Sequence, residues 1–217
     1  INELLDFRKM EQGHIKLKVT ENDMVAFARD IYRNFTELAD SKAIRYTFTT
    51  SQPVISCWFD AKQMEKVIYN LLSNAFKYIR SENGSIELQV LSEDNTVIIK
   101  VLDNGMGISA GERDKVFERF YQSDISAQTS SPSSGTGIGL ALVKEIVHLH
   151  HGSVRVESSQ GYGSVFIVSL QKGNSQFTTE EIVKTMEHTP HIVKSETIQP
   201  HDSIDLPEPA STDNSQN

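Results

Sequence analysis

The sequence has only one cysteine, Cys57, in 217 residues. That excludes an intrachain disulfide framework, and an isolated Cys near Ile55 and beside Trp58 reads as a core residue in a reducing compartment. Long apolar runs are missing too: VIIKVL, among the longest, falls far short of the ~20 residues that a membrane span requires. Basic charge is scarce. Lys and Arg number 21 against 29 Asp and Glu, a formal charge of −8, and no Lys/Arg cluster forms the stripe that a nucleic-acid groove needs. The first residues, INELLDFRKMEQG, do not read as a signal peptide but start in mid-pattern, as expected of a piece of something longer. Proline is rare in the body, with four of the six lying after residue 189, whereas ten of the twelve glycines fall between Gly84 and Gly163.

That unevenness divides the chain. From Gln171 onward there are three lysines, eight acidic residues and one aromatic, Phe177, too little apolar surface to offset the entropy of ordering. Residues 172–217 therefore read as an acidic linker or tail, mostly disordered, with room for a short helix at 179–187. Residues 1–14 read as the end of an amphipathic helix, stopped by Gly13. Between them, IKLKV at 15–19 alternates as a strand does. Thr20 with Asp23 makes a capping box for a helix running from Met24 to Leu38. Strands are expected at 44–49, 54–58, 85–91, 96–102, 153–158 and 164–170. Helices are expected after Asp60, capped with the help of Gln63, and at 138–150. Without regular βαβ alternation, the class is α/β: a two-layer sandwich in which one mixed, mainly antiparallel sheet is covered by three helices.

Three stretches carry polar residues where a core alone would not ask for them. In NLLSNAFKY, residues 70–78, Asn70, Asn74 and Lys77 form a narrow stripe bordering the apolar face of a helix. A solvated helix face would use Glu, Lys or Arg rather than two amides, whereas two amide oxygens and an ammonium suit a hydrated hard cation and phosphate oxygens. In VIIKVLDNGMGI, residues 97–108, an apolar run delivers Asp103 to a strand end, followed by Gly105 and Gly107. Asn-Gly is a hairpin signal, but ISAGERDKVFERFYQ reads as turn and helix rather than a returning strand. An Asp placed there can accept a hydrogen bond from an exocyclic amine in a flat pocket. In SSGTGIGLALVKEIVHLH, residues 133–150, Gly135, Gly137 and Gly139 open an amphipathic helix whose free N–H groups favour an anion. A flexible linker into a helix explains one glycine better than three. A helix terminus supplies ~0.3–1 kcal/mol, while a millimolar site needs ~4 kcal/mol, so the three stretches have to converge on one nucleotide.

In order and spacing, NLLSNAFKY, DNGMG at 103–107, VFERFYQ at 116–122 and GTGIGLALV at 135–143 resemble the N, G1, F and G2 boxes of the ATP-binding catalytic domain of sensor histidine kinases, in the superfamily of gyrase, Hsp90 and MutL with the Bergerat fold. The resemblance covers about residues 15–170, within a catalytic domain expected over 15–171. It implies ATP and Mg²⁺ as cofactors, with Asn74 as metal ligand and Asn70 assisting. Lys77 and Tyr78 would face phosphates and ribose, and Asp103 the adenine amino group, with Ser164 behind it through water. Gly137 and Gly139 would cradle phosphates. Gly105, Gly107 and Ile108, Phe120 and Tyr121, and Gly135, Thr136, Ile138 and Leu140 complete the implied nucleotide-binding set. Between Gly107 and Gly135 lies the implied ATP lid, anchored by Phe117 and Phe120. Gln122 stands where the family often has a basic residue, which makes Arg119 the candidate cation beside Asn70 and Lys77 in catalysis.

The family's hydrolysing branches place a Glu where Asn70 stands, and an amide is no base at neutral pH. Negligible hydrolysis and a reserved phosphoryl transfer follow. The acceptor His of the family sits in a His-Glu/Asp-x-Arg/Lys-Thr/Asn-Pro context that none of His14, His148, His150, His151, His188, His191 or His201 has, so the resemblance implies a dimerising partner domain carrying it, with residues 1–12 resembling that domain's last turns. The chain itself is expected as a monomer or weak dimer, in the cytoplasmic part of a membrane-anchored bacterial sensor, with a response-regulator receiver domain as a further partner and no nucleic acid. An anti-sigma-type serine kinase and a non-catalytic nucleotide-binding module are the alternatives on the same fold.

Overall fold

The computed structural model describes residues 16–80, 82–122 and 136–183. A five-stranded sheet in the order β2-β4-β5-β7-β6 is formed by β2 (Arg45–Thr50), β4 (Ser85–Glu93), β5 (Thr96–Asp103), β6 (Ser153–Ser159) and β7 (Gly163–Gln171). β2 pairs parallel to β4, and the other neighbours are antiparallel. A smaller antiparallel pair joins β1 (Thr20–Asp23) to β3 (Ser56–Phe59). The helices are α1 (Met24–Arg33), α2 (Thr36–Ser41), α3 (Ala61–Tyr78) and α4 (Gly139–Leu149). No helix among the described residues is long and apolar enough to cross a membrane.

Alternation along the strands builds the sandwich. Ile86, Leu88 and Val90 on β4 and Val97, Ile99 and Val101 on β5 are all fully buried on one sheet face, because successive strand side chains point to opposite sides. The helices lay their apolar stripes on that face: Val67, Ile68, Leu71 and Leu72 of α3, and Leu142, Val143 and Ile146 of α4. Cys57 is buried in this core, and burial pushes its thiol up to about 12, so it stays protonated and inert.

Several expected elements are corrected. Of IKLKV, residue 15 lies outside the described residues and 16–18 pair with no strand. Leu17 and Val19 are buried while Lys16 and Lys18 are exposed, so the alternation is real. The Lys18 amide, however, donates to Asp60 Oδ2 at 2.8 Å rather than to a neighbouring strand. Asp23, not Thr20, caps α1, accepting from the Val25 amide at 3.0 Å. The helix expected to reach Leu38 breaks at Asn34 and Phe35, where the Thr36 hydroxyl donates to the Arg33 carbonyl at 2.8 Å. The helix read into ISAGERDKVFERFYQ is a single 3₁₀ turn, Lys115–Phe117.

Order also continues past the expected boundary at Gln171. The Val19 amide donates to the Glu181 carbonyl at 2.8 Å and the Val183 amide to the Val19 carbonyl at 3.0 Å, a parallel bridge between Val19 and Ile182. Phe177 is buried with Leu17 and Val19 and meets the rings of His150 and His151 edge-on. One aromatic suffices because it fills a hollow already lined by apolar side chains. Residues 179–183 form a turn and this bridge, not the expected helix; residues 184–187 and the rest of the tail lie outside the described residues, as do residues 1–14. Phe177→Ala is expected to cost about 3 kcal/mol, read as a lower midpoint in denaturant unfolding with an unchanged slope.

Candidate functional site

Burial of Met64, Val67, Leu71 and Ala75 fixes the rotation of α3, which sets the Asn stripe at the lip of a cleft. Asn70 Nδ2 donates to the Lys66 carbonyl at 2.9 Å. Because a carbonyl can only accept, this fixes the amide orientation and leaves Oδ1 as the free end. A Cβ on Gly139 would lie 2.5 Å from that oxygen, so the first turn of α4 comes up to the carboxamide only because residue 139 lacks a side chain. Asn74 is half-buried on the same wall, with no hydrogen-bond partner among the described residues. Lys77 follows one turn on, its Nζ 4.9 Å from the Tyr78 ring centre.

Asp103 ends β5 opposite Ser164 of β7. Its Oδ1 accepts from the Gly105 amide at 2.8 Å. Burial pushes the carboxyl up to about 6, against the downward pull of the Gly105 and Ser164 amides. The hairpin alternative for Asn-Gly is excluded. Asn104 accepts from the Ser85 amide and donates to the Asn83 carbonyl, each at 2.8 Å, and the Met106 amide donates to the Tyr78 carbonyl at 3.1 Å. The chain thus runs from the sheet to the end of α3 instead of returning.

Gly137, at φ +68, closes the third side. Its carbonyl accepts from the Phe120 amide at 3.0 Å, and a Cβ would lie 2.8 Å from the Phe120 backbone. The lid base is therefore tied to the glycine loop by backbone. Phe117, expected to anchor the lid base, packs edge-on against Phe166, whereas Phe120, expected to do the same, is 65% exposed. Tyr121 donates to Glu112 at 2.8 Å; the Ser109 hydroxyl, then Tyr121, hold that carboxyl below its usual range.

These parts enclose a cleft of about 690 Å³, a size suited to a nucleotide. Of the expected residues, Asn70, Asn74, Lys77, Tyr78, Asp103, Gly107, Ile108, Tyr121, Thr136, Gly137, Gly139, Leu140 and Ser164 line it. Gly105 sits beneath Asp103, Ile138 is in the core, and Arg119 and Phe120 are exposed off the wall. Gly135, with the rest of 123–135, lies outside the described residues. Gln122 of the F box lines the cleft too, and unforeseen are Lys42 on the wall and an apolar contribution from Phe35, Leu38 and Tyr69. Phe166, two residues from Ser164 on β7, carried a signal, since alternation puts both on the same face.

No histidine among the described residues lines the cleft. His150 is buried, its Nε2 accepting from the Asp60 amide at 3.1 Å and its Nδ1 lying 2.8 Å from the Ile146 carbonyl. Its duty is structural, and burial holds the ring below its ordinary 6.5. Among the described residues no cluster of three or more His, Cys, Asp or Glu could hold a metal. The donor set that fits Mg²⁺ is the pair of carboxamides, Asn70 Oδ1 and Asn74, since Mg²⁺ takes few protein oxygens and keeps its waters.

Known proteins resemble this chain in sequence and in fold. Histidine kinase P4 of Formosa agariphila is 37% identical over 184 residues, which is 84% of this chain and 13% of that protein, so the chain spans about an eighth of that relative's length. The nucleotide-free catalytic domain of histidine kinase ThkA superposes with a TM-score of 0.63 at 25% identity, covering 72% of this chain and 99% of that one. Full-length ShkA in complex with AMPPNP gives 0.68 at 25% identity, covering 78% and 34%. The sequence profile described as histidine kinase-, DNA gyrase B-, and HSP90-like ATPase matches residues 59–174, and the chain belongs to that family.

Proposed function

We propose that the cleft binds ATP with Mg²⁺ and that the domain serves as the catalytic half of a two-component sensor histidine kinase, passing the γ-phosphoryl group to a histidine on a separate dimerisation domain. The observation that carries this reading is the convergence of Asn70, Asn74, Asp103 and the Gly137–Gly139 loop on one cleft. Asp103 accepts from the adenine amine at the deep end. Thr136, Gly137 and Gly139 bring unhindered backbone to the phosphates, and Lys77 supplies positive charge beside them. Bound Mg²⁺ would neutralise phosphate charge and orient the γ-phosphoryl group. Transfer breaks the bond between the γ-phosphorus and the bridging oxygen, leaves ADP, and forms a P–N bond to the acceptor imidazole, whose proton goes to solvent or a base on the partner domain. With Asn70 in the place of a carboxylate, no side chain of the stripe activates water. A response-regulator receiver domain is the next acceptor, and anchoring of the longer protein in a bacterial membrane fits the sensor role.

Titration with a fluorescent ADP analogue tests the reading. Mg²⁺ is expected to tighten binding about tenfold in the wild type and to have no effect in Asn74→Ala. A folded chain that binds nucleotide neither with nor without Mg²⁺, or one that turns over ATP at about one per second, would refute it.

A further inference from the structure

Three contacts at Ser158, next to the cleft-lining Ser164, fix the direction of a proton. Ser158 of β6 faces Ser164 of β7 in the antiparallel register. Its Oγ lies 2.6 Å from the Gly163 carbonyl oxygen, 2.8 Å from the Ile108 amide nitrogen and 3.1 Å from the Ser164 Oγ. A carbonyl has no hydrogen to give, so in the shortest contact Ser158 donates. A backbone N–H can only donate, so from Ile108 it accepts. A serine hydroxyl has one hydrogen and two lone pairs. With its hydrogen committed, Ser158 meets Ser164 as an acceptor, and Ser164 is the donor of that pair.

We infer that Ser158 is a positioning residue for base selection: by drawing the Ser164 proton away from the cleft, it leaves Ser164 and Asp103 presenting acceptors alone to the bound purine. Ser164 is buried, lines the cleft beside Asp103 and has no other side-chain partner among the described residues. A purine with an amine at position 6 brings hydrogens to such a wall. One with a carbonyl there brings lone pairs, and buried acceptors left facing it go unsatisfied. The same hydroxyl holds the Ile108 amide, so base selection and the start of the lid share one side chain. The inference rests on the proposed nucleotide site and adds a residue that the boxes do not contain.

The test compares ATP with inosine triphosphate, which carries the 6-carbonyl, by calorimetry with Mg²⁺ on the full chain. Ser158→Ala is expected to lower the preference for ATP about 5-fold, the effect of one misdirected neutral hydrogen bond, and Ser158→Thr to restore it. Where Ala destabilises the fold, Ser158→Cys, nearly isosteric with a weak S–H, is expected to show the same loss. Equal weakening of both nucleotides, with preference kept and a lower unfolding temperature, would reduce Ser158 to a structural residue and overturn the inference. Wild-type chain that binds neither nucleotide would instead refute the site itself, a result distinguishable from the first.

Discussion

Asp103→Asn is expected to weaken adenine-nucleotide binding about 100-fold while the chain stays folded. The carboxylate takes the Gly105 amide on Oδ1 and faces the Ser164 amide. An asparagine can satisfy those donors with its one oxygen, but its NH₂ then points at the amine of the base, donor against donor. pH offers an independent check, because burial raises this carboxyl to about 6. The folded, nucleotide-free chain holds that proton more tightly than the unfolded one, so the stability Asp103 contributes is present at low pH and lost as pH rises through about 6. Binding runs the other way. The base amine needs the ionised form, so affinity is expected to fall as pH drops below about 6, approaching tenfold per unit. His150 gives stability the opposite slope: kept below its ordinary 6.5, it refuses a proton that the unfolded chain accepts. The difference between wild type and Asp103→Asn isolates the carboxyl, and an affinity in the variant equal to wild type from pH 5 to 8 would remove Asp103 from the site.

Gly163→Ala is expected to unfold the domain at 37 °C. Residue 163 has φ +96, and a Cβ there would lie 2.0 Å from the Asp103 carbonyl oxygen and 2.7 Å from the Asn104 Cα. Backbone strain alone costs on the order of 1–3 kcal/mol. The clash pushes β7 off β5, and together these exceed about 4 kcal/mol of a total stability that is on the order of 5–15 kcal/mol. Gly111→Ala is the control. Nothing lies within 4 Å of its would-be Cβ, so its effect should stay within about 0.5 kcal/mol. Circular dichroism on both variants reads the contrast; a folded Gly163→Ala with normal nucleotide affinity would show that the β5–β7 approach is looser than the structure has it.

The candidate site was more legible in the sequence than its surroundings. Asn70, Asn74, Asp103 and Gly139 stand out because each residue type is a poor choice for its local element: amides inside a helix, a carboxylate ending an apolar strand, glycine in a helix's first turn. Local preference and observed residue disagree there, and the proposed nucleotide site accounts for the disagreement. The sheet was legible because β4 and β5 alternate with period two. What escaped were features decided by partners distant in the chain. Strand alternation in IKLKV is genuine, yet its edge is met by residues 181–183 rather than by a neighbouring strand, and nothing local in IKLKV encodes that. Phe35, Leu38 and Lys42 reach the cleft from a helix pair whose own pattern speaks only of core. Arg119 was chosen for its charge and its place in the chain, and neither says which way a short 3₁₀ turn will leave it facing.

The Val19–Ile182 bridge also bears on what counts as the smallest autonomous fragment. The family match runs over 59–174, but a polypeptide cut to that span would lose α1, β1 and the residues that bury Phe59 and Leu149 from outside. Cut only at its far end, it would leave Leu17 and Val19 wet. The cooperative unit is wider than the catalytic signature it contains, and expression boundaries belong at Val183 or beyond.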